Sequence, residues 1–167
     1  MGRFSYQTIT DDHDFSFFSC GDTSLDRWLE KEALAAQSGG LSSTHVSVEA
    51  DDEYLQVKGY FTLCPTTIVE VKGSRKDGYP GYLLCKLARC ESLKKTGHGS
   101  DLLVEAMTRA VAAADAAGGR LLVVDPVVDE NEMRTAQVRQ FYAEAGFVDI
   151  EGTNRMVMTI KDIRKQI

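Results

Sequence analysis

Apolar residues recur at helical spacing in two long stretches of the chain. They predict helices over residues 25–36 and 99–117, and a shorter helix is predicted over 135–145. Glycines follow each stretch, at Gly39, Gly118 and Gly146. Because glycine readily takes the left-handed backbone that ends a helix, the periodicity and the glycines indicate the same ends.

Alternating or continuous apolar runs between these helices predict β-strands. The predicted strands cover residues 4–9, 44–48, 54–63, 66–71, 82–89, 121–125, 147–150 and 155–160. A polar turn at 51–53 joins the strands at 44–48 and 54–63 into a hairpin. Cys64-Pro65 is expected to separate the strand at 54–63 from the strand at 66–71. This order predicts an α/β (α+β) fold, with a central mixed, mostly antiparallel sheet and helices on both faces.

Length and composition are those of one globular domain, residues 1–167, with 43% hydrophobic and 26% charged residues. No run approaches the roughly 20 apolar residues of a membrane span, and the first residues lack the apolar segment of a signal peptide. Four cysteines without metal-like spacing suggest buried thiols, no disulfide and no metal. We therefore expect a cytoplasmic protein.

The net charge of −6 argues against generic nucleic-acid binding, which favours a basic face. It leaves room for a local basic patch. Two candidates stand out, one in the loop at Lys72, Arg75 and Lys76 and one near the C-terminus at Lys161, Arg164 and Lys165.

The most informative segment lies between the strand at 82–89 and the helix at 99–117. It reads Lys94-Lys95-Thr96-Gly97-His98-Gly99-Ser100. A strand, a glycine-bearing turn and a helix N-terminus together form a natural phosphate site, because first-turn N–H groups can donate and the helix dipole is positive there. The glycine spacing fits neither a Walker loop nor the dinucleotide-binding fingerprint.

The segment resembles the pyrophosphate loop of the GNAT N-acetyltransferase superfamily, Gln/Arg-x-x-Gly-x-Gly/Ala. Lys94, Gly97 and Gly99 occupy its fixed positions, with Lys94 in place of the usual Gln or Arg. Three further blocks are similar to GNAT-type toxins of bacterial toxin–antitoxin modules. They are Phe18-Ser19-Cys20-Gly21 with Leu25-Asp26-Arg27-Trp28-Leu29, then Val57-Lys58-Gly59-Tyr60-Phe61-Thr62-Leu63, and Phe141-Tyr142-Ala143-Glu144-Ala145-Gly146-Phe147. The sequence is thereby identified with the toxin-like branch of this superfamily.

The resemblance implies the GNAT fold and acetyl-CoA as co-substrate, without a metal. It implies that the strand residues Leu87, Ala88 and Arg89 contact the pantetheine arm. The pyrophosphate would bind Lys94, Lys95, Thr96, Gly97, His98, Gly99 and Ser100. The His98 side chain is expected to be solvated over the phosphates rather than catalytic. Tyr142 is the expected general acid, which would protonate the departing CoA thiolate.

No clear general base is evident from the sequence. Asp125 lies at a strand end, where α/β sites gather, and Glu70 and His45 are no better supported. A base is not essential, because an α-amino group has a pKa of about 8 and is partly neutral at physiological pH.

The resemblance implies the amino group of an aminoacyl-tRNA as acceptor, a ribbon-helix-helix antitoxin as partner and a homodimer. One alternative is a GNAT enzyme for a small-molecule amine or a protein amino group, which the acidic composition favours because an acidic cleft attracts a cationic amine. Another is a non-catalytic acyl-CoA-binding module on the same fold.

Overall fold

The computed structural model describes residues 2–73 and 75–167, and within them the chain forms seven strands, five α-helices and a short 3-10 helix at Glu91–Leu93. The strands are β1 (Phe4–Thr8), β2 (Ser43–Glu49), β3 (Gly59–Ile68), β4 (Tyr79–Arg89), β5 (Leu121–Val124), β6 (Val148–Asp149) and β7 (Met156–Thr159). The helices are α1 (Thr23–Lys31), α2 (Ala33–Ser38), α3 (His98–Ala117), α4 (Glu132–Ala145) and α5 (Ile160–Gln166).

The strands pair in the order β1-β2-β3-β4-β5-β7-β6. β4 and β5 run parallel, whereas β1 with β2, β2 with β3, β5 with β7 and β6 with β7 are antiparallel. A parallel pair needs a crossover connection, which α3 supplies between β4 and β5. The predicted fold class, a mixed and mostly antiparallel sheet, is confirmed.

The described chain divides into two compact units, and the first comprises residues 2–64 and 85–106. Its core is formed by β1, β2 and β3 with α1 and α2, and includes Ile9, Leu29, Val46 and Tyr60. The Tyr60 hydroxyl donates a hydrogen bond of 2.7 Å to the Leu25 carbonyl, so this buried phenol is satisfied by the helix it packs against.

The second unit comprises residues 65–73, 75–84 and 107–167. Its core includes Ile68, Tyr79, Leu121 and Val123. At Gly81 an added Cβ would lie 2.3 Å from the Leu121 carbonyl oxygen, so only glycine permits the close approach of β4 to β5. That the whole of 1–167 behaves as a single domain stays a prediction.

The strand predicted from residue 54 begins only at Gly59. Leu55 has a left-handed backbone with φ of 52°, which no strand accommodates. The Asp52 carboxylate accepts hydrogen bonds from the N–H groups of Tyr54 and Gln56, at 2.9 Å each. This local cap holds residues 52–56 in a turn, and it outweighs their alternating pattern.

The predicted interruption at Cys64-Pro65 is wrong, because β3 runs on to Ile68 as one strand. The register of β3 with β2 ends at Leu63, and exposed Pro65 lies beyond it. The N–H group that proline lacks is therefore not required by the β2 ladder.

Two helical features also differ from the prediction. The helix expected over 25–36 is divided at Glu32, whose φ is −124°, although its N–H still donates to the Trp28 carbonyl. No helix was predicted after the last strand, where the structure has α5. Thr159 caps α5 by accepting from the Asp162 N–H at 3.0 Å, and Ile163 is buried beneath it.

None of the helices in the described ranges combines the length and the apolar character that crossing a bilayer requires.

Candidate active site

The end of β4 is the first part of the candidate site. Its pairing with β5 ends at Leu84, opposite Val124, and β4 continues to Arg89. Ala88 is buried in the core of the first unit, whereas Leu87 and Arg89 are half-buried. This alternation is that of an ordinary strand, and a ligand chain that pairs here would do so through main-chain groups.

The loop after β4 turns sharply before α3 begins. Lys95 has φ of 62° and Gly97 has φ of 87°, both left-handed. The Thr96 hydroxyl donates a hydrogen bond of 2.6 Å to the Leu93 carbonyl and accepts a longer one from the His98 N–H. These contacts define the path of the loop, and Gly97 supplies a conformation that other residues adopt only with strain.

The first turn of α3 provides main-chain donors for an anion. The N–H of Asp101 donates to the Gly97 carbonyl at 3.1 Å, and the N–H groups of Gly99 and Ser100 precede that first helical bond. An added Cβ at Gly97 or Gly99 would meet nothing within 4 Å, so the space over the turn is open. The geometry suits a phosphate group.

Cationic side chains border this turn. Lys94 and Lys95 are exposed, and Arg89 is half-buried at the end of β4. Their charges add to the positive end of the α3 dipole, so the electrostatics also favour an anionic ligand.

The expectation for the His98 side chain is wrong. The imidazole is 2% exposed rather than solvated, and a hydrogen bond of 2.8 Å joins its Nε2 to Oγ of Ser47. Burial lowers its pKa, so the ring is neutral near pH 7. His98 can therefore contact a phosphate only through its main chain.

Tyr142 lies on α4 in the second unit and is 7% exposed. Its ring packs edge-on against Phe141 and Phe147, with centroid distances of 5.1 and 5.7 Å. Burial raises the pKa of the phenol above its ordinary value of 10. Tyr142 thus keeps its proton at neutral pH, as a general acid must.

The ends of α4 are fixed by local sequence. The Asn131 side chain accepts from the N–H groups of Met133 and Arg134. At the other end Gly146 has φ of 111°, and an added Cβ there would lie 2.8 Å from Nε2 of Gln166. The left-handed Gly146 therefore ends the helix directly before Phe147.

The candidate base Asp125 is held in an ion pair. Arg155 donates Nε to one carboxylate oxygen at 2.8 Å and Nη2 to the other at 2.9 Å. Glu70 contacts the same guanidinium at 3.4 Å. A carboxylate engaged through both oxygens is a poor proton acceptor, so the structure favours a structural role for Asp125.

His45, the third candidate base, is buried in the first unit and stacks on Phe61 at 5.1 Å between centroids. Sequence reasoning missed Arg155, Ser47 and Gly59 as neighbours of the candidate residues. Only Gly59 carried a signal, as the glycine inside a strand pattern. Among the described residues no cluster of His, Cys, Asp and Glu has a metal-binding arrangement.

Comparison with known proteins shows the family to which the chain belongs. A scan against models of protein families found no match. A curated protein of Mycobacterium tuberculosis (strain ATCC 25618 / H37Rv), named tRNA-acetylating toxin, is 32% identical over 95% of this chain and 93% of its own. The chain therefore belongs to the toxin-like branch of the GNAT N-acetyltransferase superfamily, as the sequence blocks predicted.

Solved structures agree on the fold. The crystal structure of AtaTR bound with acetyl-CoA has a TM-score of 0.80 and 25% identity, with 99% of each chain covered. AtaT complexed with acetyl-methionyl-tRNAfMet has a TM-score of 0.84 and 23% identity, with 98% of each chain covered. The predicted GNAT fold is thereby confirmed.

Proposed function

We propose that this protein is an acetyl-CoA-dependent N-acetyltransferase that acetylates the amino group of an aminoacyl-tRNA and so blocks translation. The observation that carries the proposal is the 32% identity to a tRNA-acetylating toxin over 95% of the chain. The glycine turn at the start of α3 supports the donor half of the reaction, because its geometry suits a pyrophosphate.

The acetyl donor would be held by main-chain groups. The pantetheine arm would lie along Leu87, Ala88 and Arg89, and the pyrophosphate would accept hydrogen bonds from the N–H groups of Gly99 and Ser100. Lys94 and Lys95 would add charge. Positioning of two reactants supplies most of the rate enhancement in such a reaction.

In the chemical step the amine nitrogen attacks the thioester carbonyl carbon, and the carbon–sulfur bond then breaks. The sulfur leaves as a thiolate and takes the hydroxyl proton of Tyr142. The nitrogen loses its extra proton to water as the amide forms, and a proton from water restores the phenol. The Tyr142 phenol is protonated at neutral pH, so its hydroxyl carries a proton when the thiolate forms.

The amine needs no strong base from the protein. The α-amino group of an aminoacyl ester is partly neutral at physiological pH. Arg155 donates to both carboxylate oxygens of Asp125, the candidate at the strand end, and we therefore propose no base role for Asp125.

Local basic residues can serve tRNA binding in spite of the net charge of −6. Lys72, Arg75 and Lys76 are exposed in the loop before β4, where they could contact phosphates. On α5, by contrast, Arg164 pairs with Asp115 and Lys165 with Asp162. We therefore assign the tRNA contacts to the loop that precedes β4, in preference to α5.

The partners follow from the same proposal. Aminoacyl-tRNA is a cytoplasmic substrate, so we propose that the enzyme acts in that compartment. Since the chain is a member of the toxin-like branch, we propose a ribbon-helix-helix antitoxin that neutralises it and a homodimer as the assembled form.

The test is transfer of label from radiolabelled acetyl-CoA into total aminoacylated bacterial tRNA. We expect label in the charged tRNA with the wild type, and a loss of roughly a hundredfold in kcat with Tyr142→Phe. The affinity for acetyl-CoA should stay within about twofold of wild type, because the phenol acts on the leaving group. Deacylated tRNA is the control and should stay unlabelled.

Equal losses of kcat and of acetyl-CoA affinity in Tyr142→Phe would remove the general-acid role. Absence of label in charged tRNA, with acetyl-CoA still bound, would favour a small-molecule amine or a protein amino group as acceptor.

A further inference from the structure

Three residues that are far apart in the sequence meet beneath the glycine turn. Ser47 on β2, Gly59 on β3 and His98 at the start of α3 are all buried. A hydrogen bond of 2.8 Å joins Ser47 Oγ and His98 Nε2 across two elements. The turn is thus connected to the sheet by a side-chain contact, in addition to its own main-chain bonds.

Gly59 makes room for this contact. An added Cβ at Gly59 would lie 2.6 Å from Cδ1 of Leu102, 2.9 Å from Ser47 Oγ and 3.1 Å from His98 Nε2. A larger residue would force the side chains of Leu102, Ser47 or His98 to shift, and so would disturb the contact between the turn and the sheet. This explains the glycine in the Val-x-Gly-Tyr-Phe strand by packing rather than by a bulge or a special backbone conformation.

The His98 ring is held by few other groups. Its centroid lies 4.2 Å from that of Phe4, and its Nδ1 is buried without a hydrogen-bond partner among the described residues. Loss of the Ser47 hydroxyl would therefore leave the buried imidazole with no side-chain hydrogen bond. A buried polar group without a hydrogen bond is unfavourable, so we expect the loss of this contact to shift the ring.

We propose that His98 is a positioning residue that, tied to Ser47 over Gly59, holds the first turn of α3 so that its N–H groups face the pyrophosphate. The inference rests on the proposed binding of acetyl-CoA at this turn. His98 lies directly between Gly97 and Gly99, so any shift of its side chain moves the donors of Gly99 and Ser100. The ring acts through the main chain and does not touch the ligand.

The variant Ser47→Ala tests the contact without altering the loop. Thr62→Val is a matched control. A buried hydrogen bond of 2.8 Å joins Thr62 Oγ1 on β3 to Oγ1 of Thr44 on β2, and these strands also carry Gly59 and Ser47. The readouts are the Kd for CoA by calorimetry and kcat/KM for two donors, acetyl-CoA and S-acetylpantetheine, which lacks the pyrophosphate. Thermal unfolding monitors the fold of each variant.

We expect Ser47→Ala to weaken CoA binding about fivefold to tenfold, the effect of one lost hydrogen bond. Its kcat/KM for acetyl-CoA should fall by the same factor, whereas kcat/KM for S-acetylpantetheine should stay within about twofold. Thr62→Val should lower the unfolding temperature but keep the wild-type Kd. His98→Leu should show the same changes as Ser47→Ala. If His98→Leu does not fold, Ser47→Ala alone tests the positioning role.

The outcomes separate this inference from the function on which it rests. A wild-type protein that does not bind CoA refutes the proposed function and the inference together. A Ser47→Ala protein that binds CoA as tightly as wild type overturns the positioning role alone. The positioning role would also be overturned if Ser47→Ala lowered kcat/KM equally for both donors, or if Thr62→Val weakened CoA binding as much as Ser47→Ala does. The contact would then contribute only to the stability of the fold.

Discussion

At the residue scale, the proposed pyrophosphate site depends most on Gly97. Its φ is 87° and an added Cβ would meet no atom within 4 Å. Gly40, in the turn after α2, shares both properties, with φ of 75° and open space around it. The two glycines therefore face the same backbone penalty on substitution, and only Gly97 lies at the proposed pyrophosphate site.

We predict that Gly97→Ala and Gly40→Ala each lower the free energy of unfolding by about 1–2 kcal/mol, the cost of a left-handed non-glycine residue. Gly97→Ala should also weaken CoA binding by at least about tenfold, because the strained turn misaligns its donors. Denaturant unfolding and calorimetry measure the two quantities. Equal CoA affinities in the two variants would contradict the assignment of the turn.

Single residues were predictable from sequence where the chemistry is local. The spacing of Gly97 and Gly99 predicted a glycine-bearing turn before a helix, and Gly97 has a left-handed backbone just before α3. The His98 side chain was misassigned because its burial depends on Ser47 and Gly59, which are distant in sequence. The catalytic role of Tyr142 stays a prediction.

At the element scale, the start of α3 should make stability depend on pH. Burial is the main cause that lowers the pKa of His98 below its ordinary 6.5, with Arg3 and Arg89 acting in the same direction and Asp101 opposing. The unfolded chain then binds a proton more readily than the folded protein. The free energy of unfolding should be highest above about pH 6.5 and should fall as the pH drops below it.

Chemical denaturation at about pH 7.5 and about pH 5.5 measures this effect. The decrease in the free energy of unfolding should be smaller in His98→Gln than in wild type, because glutamine does not titrate. His13 is also buried with a lowered pKa, so part of the decrease should remain. An identical decrease in wild type and His98→Gln would contradict the buried, neutral imidazole.

Elements were predictable where the apolar period is long or the run is continuous. The helix expected over 99–117 agrees with α3, His98–Ala117, to within one residue. The strand expected from 54 failed because the Asp52 cap and left-handed Leu55 act through geometry that a hydrophobic pattern does not contain. Helix α5 has only seven residues, too few for a period to be recognised.

At the scale of the whole molecule, the net charge argues against tRNA binding, whereas the family membership favours it. The net charge of −6 argues against a nucleic-acid partner, yet the chain belongs to a branch in which one curated protein is named a tRNA-acetylating toxin. Net charge is a sum over the surface, whereas tRNA binding needs only a local set of cations. Lys72, Arg75 and Lys76 are exposed, and they are the local set that we propose.

The central claim is that acetyl transfer ends on the α-amino group of the aminoacyl ester. The direct measurement is mass spectrometry of the terminal aminoacyl-adenosine, released by nuclease from charged tRNA after incubation with the protein and acetyl-CoA. The account predicts that the aminoacyl-adenosine gains the mass of one acetyl group, with the acetyl on its α-nitrogen. An unmodified aminoacyl-adenosine, or an acetyl group on the tRNA bases or on protein lysines instead, would contradict it.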